Sequence, residues 1–464
     1  MVILKIKDKL LLTRTKSKKI MIYNFLKNIC KLALKIYFRK IHIEGKSKVP
    51  KEGPFLIVAN HPSSFLDPIN IAINVKPKIS FLAKGVMFKN KIVASVLRGL
   101  NMIPIYRAQD DPKMVNKNVE VFKGCYKKLN NNGVIMIFPE GTSEMERRLR
   151  KIKTGAARIA LGAEKENDYN LNLKIVPVGL NYTKLSRFRS EVFVNFGEPI
   201  NVGDYFDAYK KDEIKTTKIL TEKIETDIRS LMIAVDKEEN DELVERIESI
   251  YKNTLNAKKE DENEIINNLK SSQKITEAVS YFQTKNPKLY NDTATKIDCY
   301  FLKLKRVKLS DKSLENHNSK LFRKMLKSTL ALVLGFPLWL FGIATSYIPY
   351  KLPRMVALKI TDSEAFYGAL LMSLGTFFFI LFYSAEIFVF WYFIKIPILT
   401  ITFGVLLVLS GFFTIYYARN ARRLFFNLHL YNKKHIAKKL LKERNQLINN
   451  FEKIRTLYLA ENNL

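Results

Sequence analysis

Cysteine is scarce in this chain of 464 residues, which contains only Cys30, Cys125 and Cys299. Their odd number and wide separation exclude a disulfide framework and a metal-ligand spacing, so we expect buried free thiols and a reducing compartment. A Gly-x-Ser-x-Gly nucleophile elbow is also missing around Ser63 and Ser64. The N-terminus shows no cleavable export signal, because lysines interrupt its apolar stretch, and we expect the chain to enter a membrane through other segments.

Acidic residues are few relative to basic ones. The chain has 44 Asp and Glu against 78 Lys and Arg, a formal charge of +34. Such a charge attracts anionic lipid, phosphate metabolites or nucleic acid, and does not by itself choose among them. We expect no nucleic-acid partner, because the basic residues are dispersed and the aromatic residues concentrate in apolar segments near the C-terminus.

The length predicts two or three folding units. Short β-rich runs over 55–59, 134–138, 175–180 and 192–196 are separated by helical stretches such as 115–130 and 155–163, which predicts an α/β domain with a central mixed sheet. The predicted parts are a basic amphipathic N-terminal helix region (1–40), the α/β domain (41–235), a charged helical region (236–325), membrane segments (326–420) and a basic helical tail (421–464).

An amphipathic basic helix is predicted over 20–39, because polar residues recur there at helical spacing. Such a helix packs on its own domain or lies in the headgroup layer of a membrane with its lysines on anionic phosphates. The long apolar runs later in the chain favour the second alternative.

Three uncharged runs over 328–350, 365–385 and 396–418 each approach the length of about 20 residues that crosses a bilayer. The first contains Gly335, Pro337 and Gly342, so a kinked or re-entrant segment and an ordinary span both stay open. Basic clusters lie before the first run and after the last, and both are expected on the cytoplasmic side. Three crossings would place them on opposite sides of the membrane. We therefore expect a helical hairpin that turns near Lys395 and Pro397, with the first run entering and leaving on one face.

A histidine and an aspartate, His61 and Asp67, follow the apolar run over 55–59. Six positions rotate a helix by about 240°, so the two side chains meet only through a turn. If they meet, the carboxylate fixes the imidazole tautomer and leaves the other ring nitrogen to accept a proton from a hydroxyl. A single His–Asp pair is more often a structural hydrogen bond than a catalytic one. Its interpretation therefore depends on further motifs.

Three further motifs follow. The apolar segment from Gly99 ends in Arg107, a cation suited to bidentate phosphate binding. The sequence Phe-Pro-Glu-Gly-Thr over 138–142 delivers a carboxylate and a glycine whose bare backbone permits close approach of a ligand. The last motif is Val-Pro-Val over 176–178.

Together the four motifs, over about residues 40–200, resemble the PlsC-type glycerolipid acyltransferases, a family of 1-acylglycerol-3-phosphate and glycerol-3-phosphate acyltransferases. The resemblance implies that His61 is the general base and that Asp67 orients it. It implies binding of the glycerol-phosphate end by Arg107, Glu140, Gly141 and Thr142, with Lys84 and Lys153 as secondary phosphate ligands or solvated lysines, and it implies that Pro177 shapes the acyl-donor side. The donor would be acyl-CoA or an acyl carrier protein, with no cofactor, metal or covalent enzyme intermediate.

Two departures from the common family pattern concern the acceptor. Five residues separate His61 from Asp67 where four are usual, and Ser143 stands where many members have arginine. Both features resemble those of the branch of fungal-type glycerol-3-phosphate and dihydroxyacetone-phosphate acyltransferases. An arginine at 147, 148 or 150 is a candidate to supply the positive charge that is missing at Ser143.

We expect an integral membrane enzyme of phospholipid biosynthesis with its catalytic domain on the cytoplasmic side. We expect 1-acylglycerol 3-phosphate as the acceptor, with glycerol 3-phosphate or dihydroxyacetone phosphate as the alternative. The alternative from another class is a non-catalytic, membrane-anchored lipid-binding protein.

Overall fold

The computed structural model describes residues 25–184, 187–235, 237–257, 264–311, 314 and 321–462. These residues divide into two compact units. The first unit contains the described residues of Met1–Ile233 and Thr361–Met372. The second unit contains the described residues of Ala234–Ile360 and Ser373–Leu464. The domain boundaries drawn from the sequence stay a prediction.

The first unit is built on an eight-stranded mixed sheet. Its strands are β1 (Lys40–Glu44), β2 (Phe55–Ala59), β3 (Ile79–Lys84), β4 (Met102–Ile105), β5 (Val134–Ile137), β6 (Lys174–Tyr182), β7 (Glu191–Phe196) and β8 (Ile200–Asn201). The order is β1-β7-β6-β2-β5-β3-β4, and β8 pairs with β6. Strands β6, β2, β5, β3 and β4 are parallel to their neighbours in that order, whereas β7 is antiparallel to β6. The predicted α/β fold with a mixed sheet is confirmed.

Helices cover both faces of this sheet. They are α1 (25–37), α2 (Leu66–Ala72), α3 (Lys91–Gly99), α4 (Asn118–Asn130), α5 (Gly155–Glu166), α6 (Phe206–Lys211) and α7 (Glu213–Leu231). Side-chain caps begin two of them. The side chain of Asn90 accepts hydrogen bonds from the backbone N–H groups of Ile92 and Val93, and Asp212 accepts one from Lys215. Such caps satisfy N–H groups that have no partner inside the helix.

The core lies around β2, whose five residues Phe-Leu-Ile-Val-Ala are all buried. A continuous apolar run is typical of a parallel strand covered on both faces. On one face, residues of β2, β6 and α2 pack with Leu34, Tyr37 and Phe38. On the other, Gly179 of β6 lies so near the carbonyl of Leu231 that a Cβ would come within 2.3 Å of it, which requires glycine.

The described part of the N-terminal helix has two different surfaces. Leu34 and Tyr37 are buried in the core, as expected of a helix that packs on its own domain. Phe25 and Leu32 are 63% and 61% exposed, and a helix in a headgroup layer would present such residues to lipid. Residues 20–24 of the predicted helix lie outside the described residues.

The second unit is helical. Its helices are α8 (Asp241–Ala257), α9 (Glu264–Lys285), α10 (Pro287–Arg306), α11 (Leu321–Ile360), α13 (Pro397–Asn432), α14 (Lys434–Glu461) and the part of α12 (Glu364–Ile394) after Met372. A buried polar group connects three of its segments. Asp311 accepts hydrogen bonds from Tyr300 Oη at 2.6 Å and from Arg444 Nε at 2.9 Å, so the buried charges are paired.

Helices α11, α12 and α13 are long and apolar enough to cross a membrane. The turn predicted near Lys395 and Pro397 is present, because α12 ends at Ile394 and α13 begins at Pro397. The expectation of a first run that enters and leaves on one face is wrong, since α11 is one continuous helix of 40 residues. A re-entrant segment needs a break in the helix, whereas Gly342 here lets α11 approach the Ser410 carbonyl of α13 closely.

Candidate active site

Four of the predicted site residues lie at or just beyond the carboxyl ends of parallel strands. His61 follows β2, Glu140 follows β5, Lys84 ends β3 and Arg107 follows β4. Because the carboxyl ends of parallel strands lie along one edge of a sheet, these residues meet there, where α/β proteins commonly bind ligands. The strand order places His61 next to Glu140 and the two cations beyond it.

The turn between β2 and α2 brings His61 and Asp67 into contact. His61 Nδ1 lies 2.8 Å from Asp67 Oδ2, and the backbone N–H of Ser63 donates to the same oxygen at 2.7 Å. The N–H of Leu66 donates to the Ser63 carbonyl at 2.9 Å, which closes the turn and accommodates the five intervening residues. An ionised Asp67 accepts the hydrogen of Nδ1, and Nε2 is then the nitrogen that accepts a proton.

Tyr182, at the end of β6, is a site residue that the sequence analysis missed. Its hydroxyl donates to Asp67 Oδ1 at 2.7 Å and accepts from Asn70 Nδ2 at 3.1 Å. Burial, with the charge of Asp67, raises the pKa of Tyr182 well above its ordinary value, so the hydroxyl stays a donor. The fully buried Asp67 therefore has three hydrogen-bond donors. A polar residue at the end of an apolar strand was the signal that could have identified Tyr182.

The imidazole of His61 is also held by an aromatic ring. It stacks on Phe138, the residue after β5, with ring centroids 3.9 Å apart and planes 13° from parallel. The bond to Asp67 fixes the ring from its edge and Phe138 fixes it from its face. A base held in both directions needs little reorganisation when it reacts.

Glu140 contacts the backbone of the site. Its carboxylate accepts hydrogen bonds from the N–H of His61 at 2.8 Å and of Arg150 at 3.3 Å. Burial raises its pKa to about 7, although the two N–H groups act in the opposite direction. The carboxylate thus connects the loop after β5 to the residue that carries the imidazole. Its predicted contact with a glycerol phosphate stays a prediction.

Arg107 is positioned by an acidic neighbour. Its Nε and Nη2 donate to the two oxygens of Asp110, each at 2.5 Å, and its Nη1 donates to the carbonyl of Gly141. These bonds hold the pKa of Asp110 below its ordinary value. Three of the five guanidinium N–H donors are therefore engaged within the protein, and Asp110 occupies one bidentate edge.

Two lysines lie close to this arginine. Burial and then the charge of Arg107 lower the pKa of Lys84, and the charges of Lys84 and Lys153 contribute to the lowered pKa of Asp110. Gly141 has a φ of +75°, and a Cβ there would come within 2.9 Å of Lys153 Nζ. The structure thus brings Lys84, Arg107 and Lys153 together beside Gly141, and we call these three residues the cation cluster.

Thr142 and Ser143 lie in the loop that follows Gly141. Ser143 Oγ accepts a hydrogen bond from the backbone N–H of Ser64 at 2.6 Å and so holds the His61 turn. Thr142 is half-buried beside it. The nearby Arg148 and Arg150 pair with Glu146, at 3.4 and 2.9 Å.

The first turns of α12 also contact this turn. Ser63 Oγ donates to the carbonyl of Ala365 at 3.4 Å, and the rings of Phe65 and Phe366 meet edge to face at 6.1 Å. Ala369 is buried in the same core as β2. The start of a candidate membrane span is therefore part of the wall around the His61 turn.

Within the described ranges no group of three His, Cys, Asp or Glu side chains is placed to hold a metal ion. The expected absence of a metal or cofactor stays a prediction. Pro177, predicted to shape the acyl-donor side, is buried in β6, where it pairs with Val58.

Comparison with known proteins gives a consistent result. Residues 40–181 match the family model described as Acyltransferase. Glycerol-3-phosphate O-acyltransferase 2 of Saccharomyces cerevisiae is 35% identical over 144 residues, which are 31% of this chain and 18% of that protein. The chloroplastic 1-acyl-sn-glycerol-3-phosphate acyltransferase LPAT1 of Arabidopsis thaliana is 30% identical over 36% of this chain and 43% of its own length. The 1-acyl-sn-glycerol-3-phosphate acyltransferase of Streptococcus pneumoniae is 27% identical over 46% and 73%.

Among solved structures, the 1-acyl-sn-glycerophosphate acyltransferase PlsC of Thermotoga maritima matches 47% of this chain and 82% of its own, with 20% identity and a TM-score of 0.34. The chain spans less than half the length of the first curated relatives that it matches. The family model and the curated relatives confirm the resemblance to glycerolipid acyltransferases, whereas the meaning of the five-residue spacing stays a prediction.

Proposed function

We propose that this chain, whose residues 40–181 match the acyltransferase family model, transfers a fatty acyl group from acyl-CoA or an acyl carrier protein to 1-acylglycerol 3-phosphate. The observation that carries the proposal is the contact of His61 with a buried Asp67 at the sheet edge that also holds the cation cluster. A base beside phosphate-binding cations suits an acceptor that has both a hydroxyl and a phosphate.

The reaction needs one proton transfer in each direction. Nε2 of His61 takes the proton of the acceptor hydroxyl as its oxygen attacks the thioester carbonyl. The tetrahedral intermediate then collapses, the C–S bond breaks, and the imidazolium returns the proton to the leaving thiolate. The carboxylate of Asp67 stabilises the imidazolium. A thioester is already activated, so no enzyme-bound acyl group is required.

The cation cluster holds the acceptor phosphate in this proposal. Lys84 and Lys153 supply ammonium groups, and Arg107 supplies its two remaining N–H donors. Lys84 and Arg107 lie at the ends of β3 and β4, in the same sheet as β2, which positions the phosphate site relative to His61, and such positioning is a large part of the rate gain in bimolecular transfer. Thr142, in the adjacent loop, would contact the same end of the acceptor.

A second acceptor, glycerol 3-phosphate, is favoured by a different observation. The yeast relative at 35% identity is named a glycerol-3-phosphate O-acyltransferase, and Ser143 contacts the turn that has five residues between His61 and Asp67. Dihydroxyacetone phosphate has a comparable hydroxyl and phosphate. All three acceptors require the same base and the same cations.

We also propose that the acyltransferase domain faces the cytoplasm. The support is the excess of Lys and Arg in the segment that leads from this domain to the first candidate span, notably Arg323, Lys324 and Lys327. A cytoplasmic site has access to both thioester donors.

The test compares His61→Ala with His435→Ala in purified membranes. His435 is exposed on α14 and provides a chemically matched control. Each variant receives 1-acylglycerol 3-phosphate, glycerol 3-phosphate or dihydroxyacetone phosphate with each donor type. We expect His61→Ala to abolish transfer and His435→Ala to retain it. Equal turnover in both variants would remove the mechanism, and no turnover of any acceptor by the parent chain would favour a non-catalytic lipid-binding protein.

A further inference from the structure

One stretch of the first unit has no carboxylate. Residues 68–109 contain neither Asp nor Glu, and they contain seven cations: Lys76, Lys78, Lys84, Lys89, Lys91, Arg98 and Arg107. Two of these belong to the cation cluster of the site. The others add positive charge beside this cluster, which attracts anionic partners.

Helix α3 lies within this stretch and has an uncovered apolar face. Ile92, Val93 and Val96 are 77%, 43% and 57% exposed, whereas Ala94 and Leu97 on the opposite face are buried in the domain. Positions 92, 93 and 96 lie on one side of a helix, three and four residues apart. Three branched aliphatic side chains on one helix face are more than isolated apolar exposure.

Cations flank this apolar face at both ends. Lys89 and Lys91 are exposed at its start and Arg98 is exposed at its end. An apolar face bordered by Lys and Arg is typical of a helix that lies in a membrane interface. The cations at the two ends suit pairing with anionic lipid headgroups, and the apolar side chains suit insertion into the upper acyl region beneath them.

Three helices of the same chain are candidate membrane spans. Tethering makes docking of α3 an intramolecular event at high effective concentration, so a small apolar face suffices.

We propose that α3 is a membrane-docking helix that binds the surface of an anionic bilayer, with Ile92, Val93 and Val96 inserted at the headgroup boundary and Lys89, Lys91 and Arg98 on lipid phosphates. Lys84 ends β3, and only the turn Gly85–Phe88 and its two following residues separate it from α3. Docking therefore holds the cation cluster at the level of lipid headgroups. The docking itself does not depend on the proposed acyl transfer.

The test uses the full chain in vesicles of phosphatidylcholine with and without phosphatidylserine. Cys30→Ser and Cys299→Ser leave only the buried Cys125, and a single Val93→Cys carries an environment-sensitive fluorophore. The matched control carries Ile214→Cys, since Ile214 is 74% exposed on α7 but has no comparable apolar neighbours on its face. Lipids brominated on the acyl chain quench only fluorophores that enter the bilayer.

We expect quenching at position 93 to exceed that at position 214 severalfold, and to fall by at least half when phosphatidylserine is omitted. We expect the combined change Lys89→Gln, Lys91→Gln and Arg98→Gln to produce the same fall. Equal quenching at both positions would overturn the proposal. Cross-linking of position 93 to a second copy of the chain, without lipid quenching, would assign the apolar face to a protein contact and would also overturn it.

Discussion

Replacement of Asp67 by asparagine tests the hydrogen-bond arrangement behind His61. The carboxylate accepts from His61 Nδ1 and the Ser63 N–H on one oxygen, and from the Tyr182 hydroxyl on the other. An asparagine offers one oxygen and one NH2 group. The backbone N–H of Ser63 cannot accept, so it selects the orientation in which the amide oxygen faces His61.

This orientation preserves the tautomer that leaves Nε2 able to accept a proton. Tyr182 adjusts by accepting from the new NH2 group. What Asp67→Asn removes is the negative charge that stabilises the imidazolium in the transition state. A hydrogen bond to a charged group contributes about 1.5–3 kcal/mol, and a neutral one about half of that. With the lost Coulomb attraction in a buried site we expect a cost of about 2–3 kcal/mol, or about 30- to 150-fold in kcat.

The assay is the initial rate of transfer from radiolabelled acyl-CoA to the preferred acceptor in purified membranes. We expect Asp67→Asn to lower kcat by that factor and to leave KM nearly unchanged, and Asp67→Ala to fall further, because alanine leaves the imidazole unoriented. Asp207→Asn, at an exposed position on α6, is the matched control. A loss of about 10⁴-fold in Asp67→Asn, the size expected when an asparagine imposes the wrong tautomer, would refute the argument from Ser63. An unchanged rate would refute the role of Asp67 itself.

Two further changes probe the groups around this pair. Tyr182→Phe removes one donor to Asp67 without changing the ring, so we expect kcat about 10-fold lower at constant KM, because one hydrogen bond to a charged group is lost; a higher KM with unaltered kcat would contradict a positioning role. Glu140 has a folded-state pKa of about 7 against 4.5 for the free group, so it favours the folded state below pH about 4.5, and this contribution is lost as pH rises through about 7. The loss is on the order of 3 kcal/mol. The apparent Tm of Glu140→Gln in detergent should therefore fall less between pH 5 and 8.5 than that of the parent chain, and parallel curves would show that Glu140 does not titrate in this range.

The local hydrophobic pattern of the sequence was sufficient to predict much of the fold. The apolar run over 55–59 predicted a buried strand, and β2 is buried at all five positions. The runs over 134–138, 175–180 and 192–196 lie on β5, β6 and β7 within two residues at each end. Apolar length likewise identified three candidate spans. These features depend on side chains that are near neighbours in sequence, so the sequence alone determines them.

Contacts between residues on different strands could not be predicted from the local sequence. Glu140 approaches the backbone of His61 because β5 lies beside β2 although 79 positions separate the two residues, and Tyr182 approaches Asp67 from β6, 115 positions away. Strand order is a property of the whole domain, and neither residue has a local pattern that reveals its partner. The pairing of Arg107 with Asp110 is local, but the carbonyl of Gly141 as its third partner is not.

The sequence by itself determined that a histidine and an aspartate follow a buried strand and that four motifs carry residues suited to acyl transfer. It also determined that the chain contains long apolar helices. Only the tertiary structure decided that Tyr182 is the third donor to Asp67, that Glu140 holds the backbone of the base, and that α11 is continuous. The physical reason is the same in each case. Hydrophobic pattern and motif order are recorded along the chain, whereas a hydrogen bond between distant residues, or the packing of Gly342 against Ser410, exists only after the sheet and the helices have assembled.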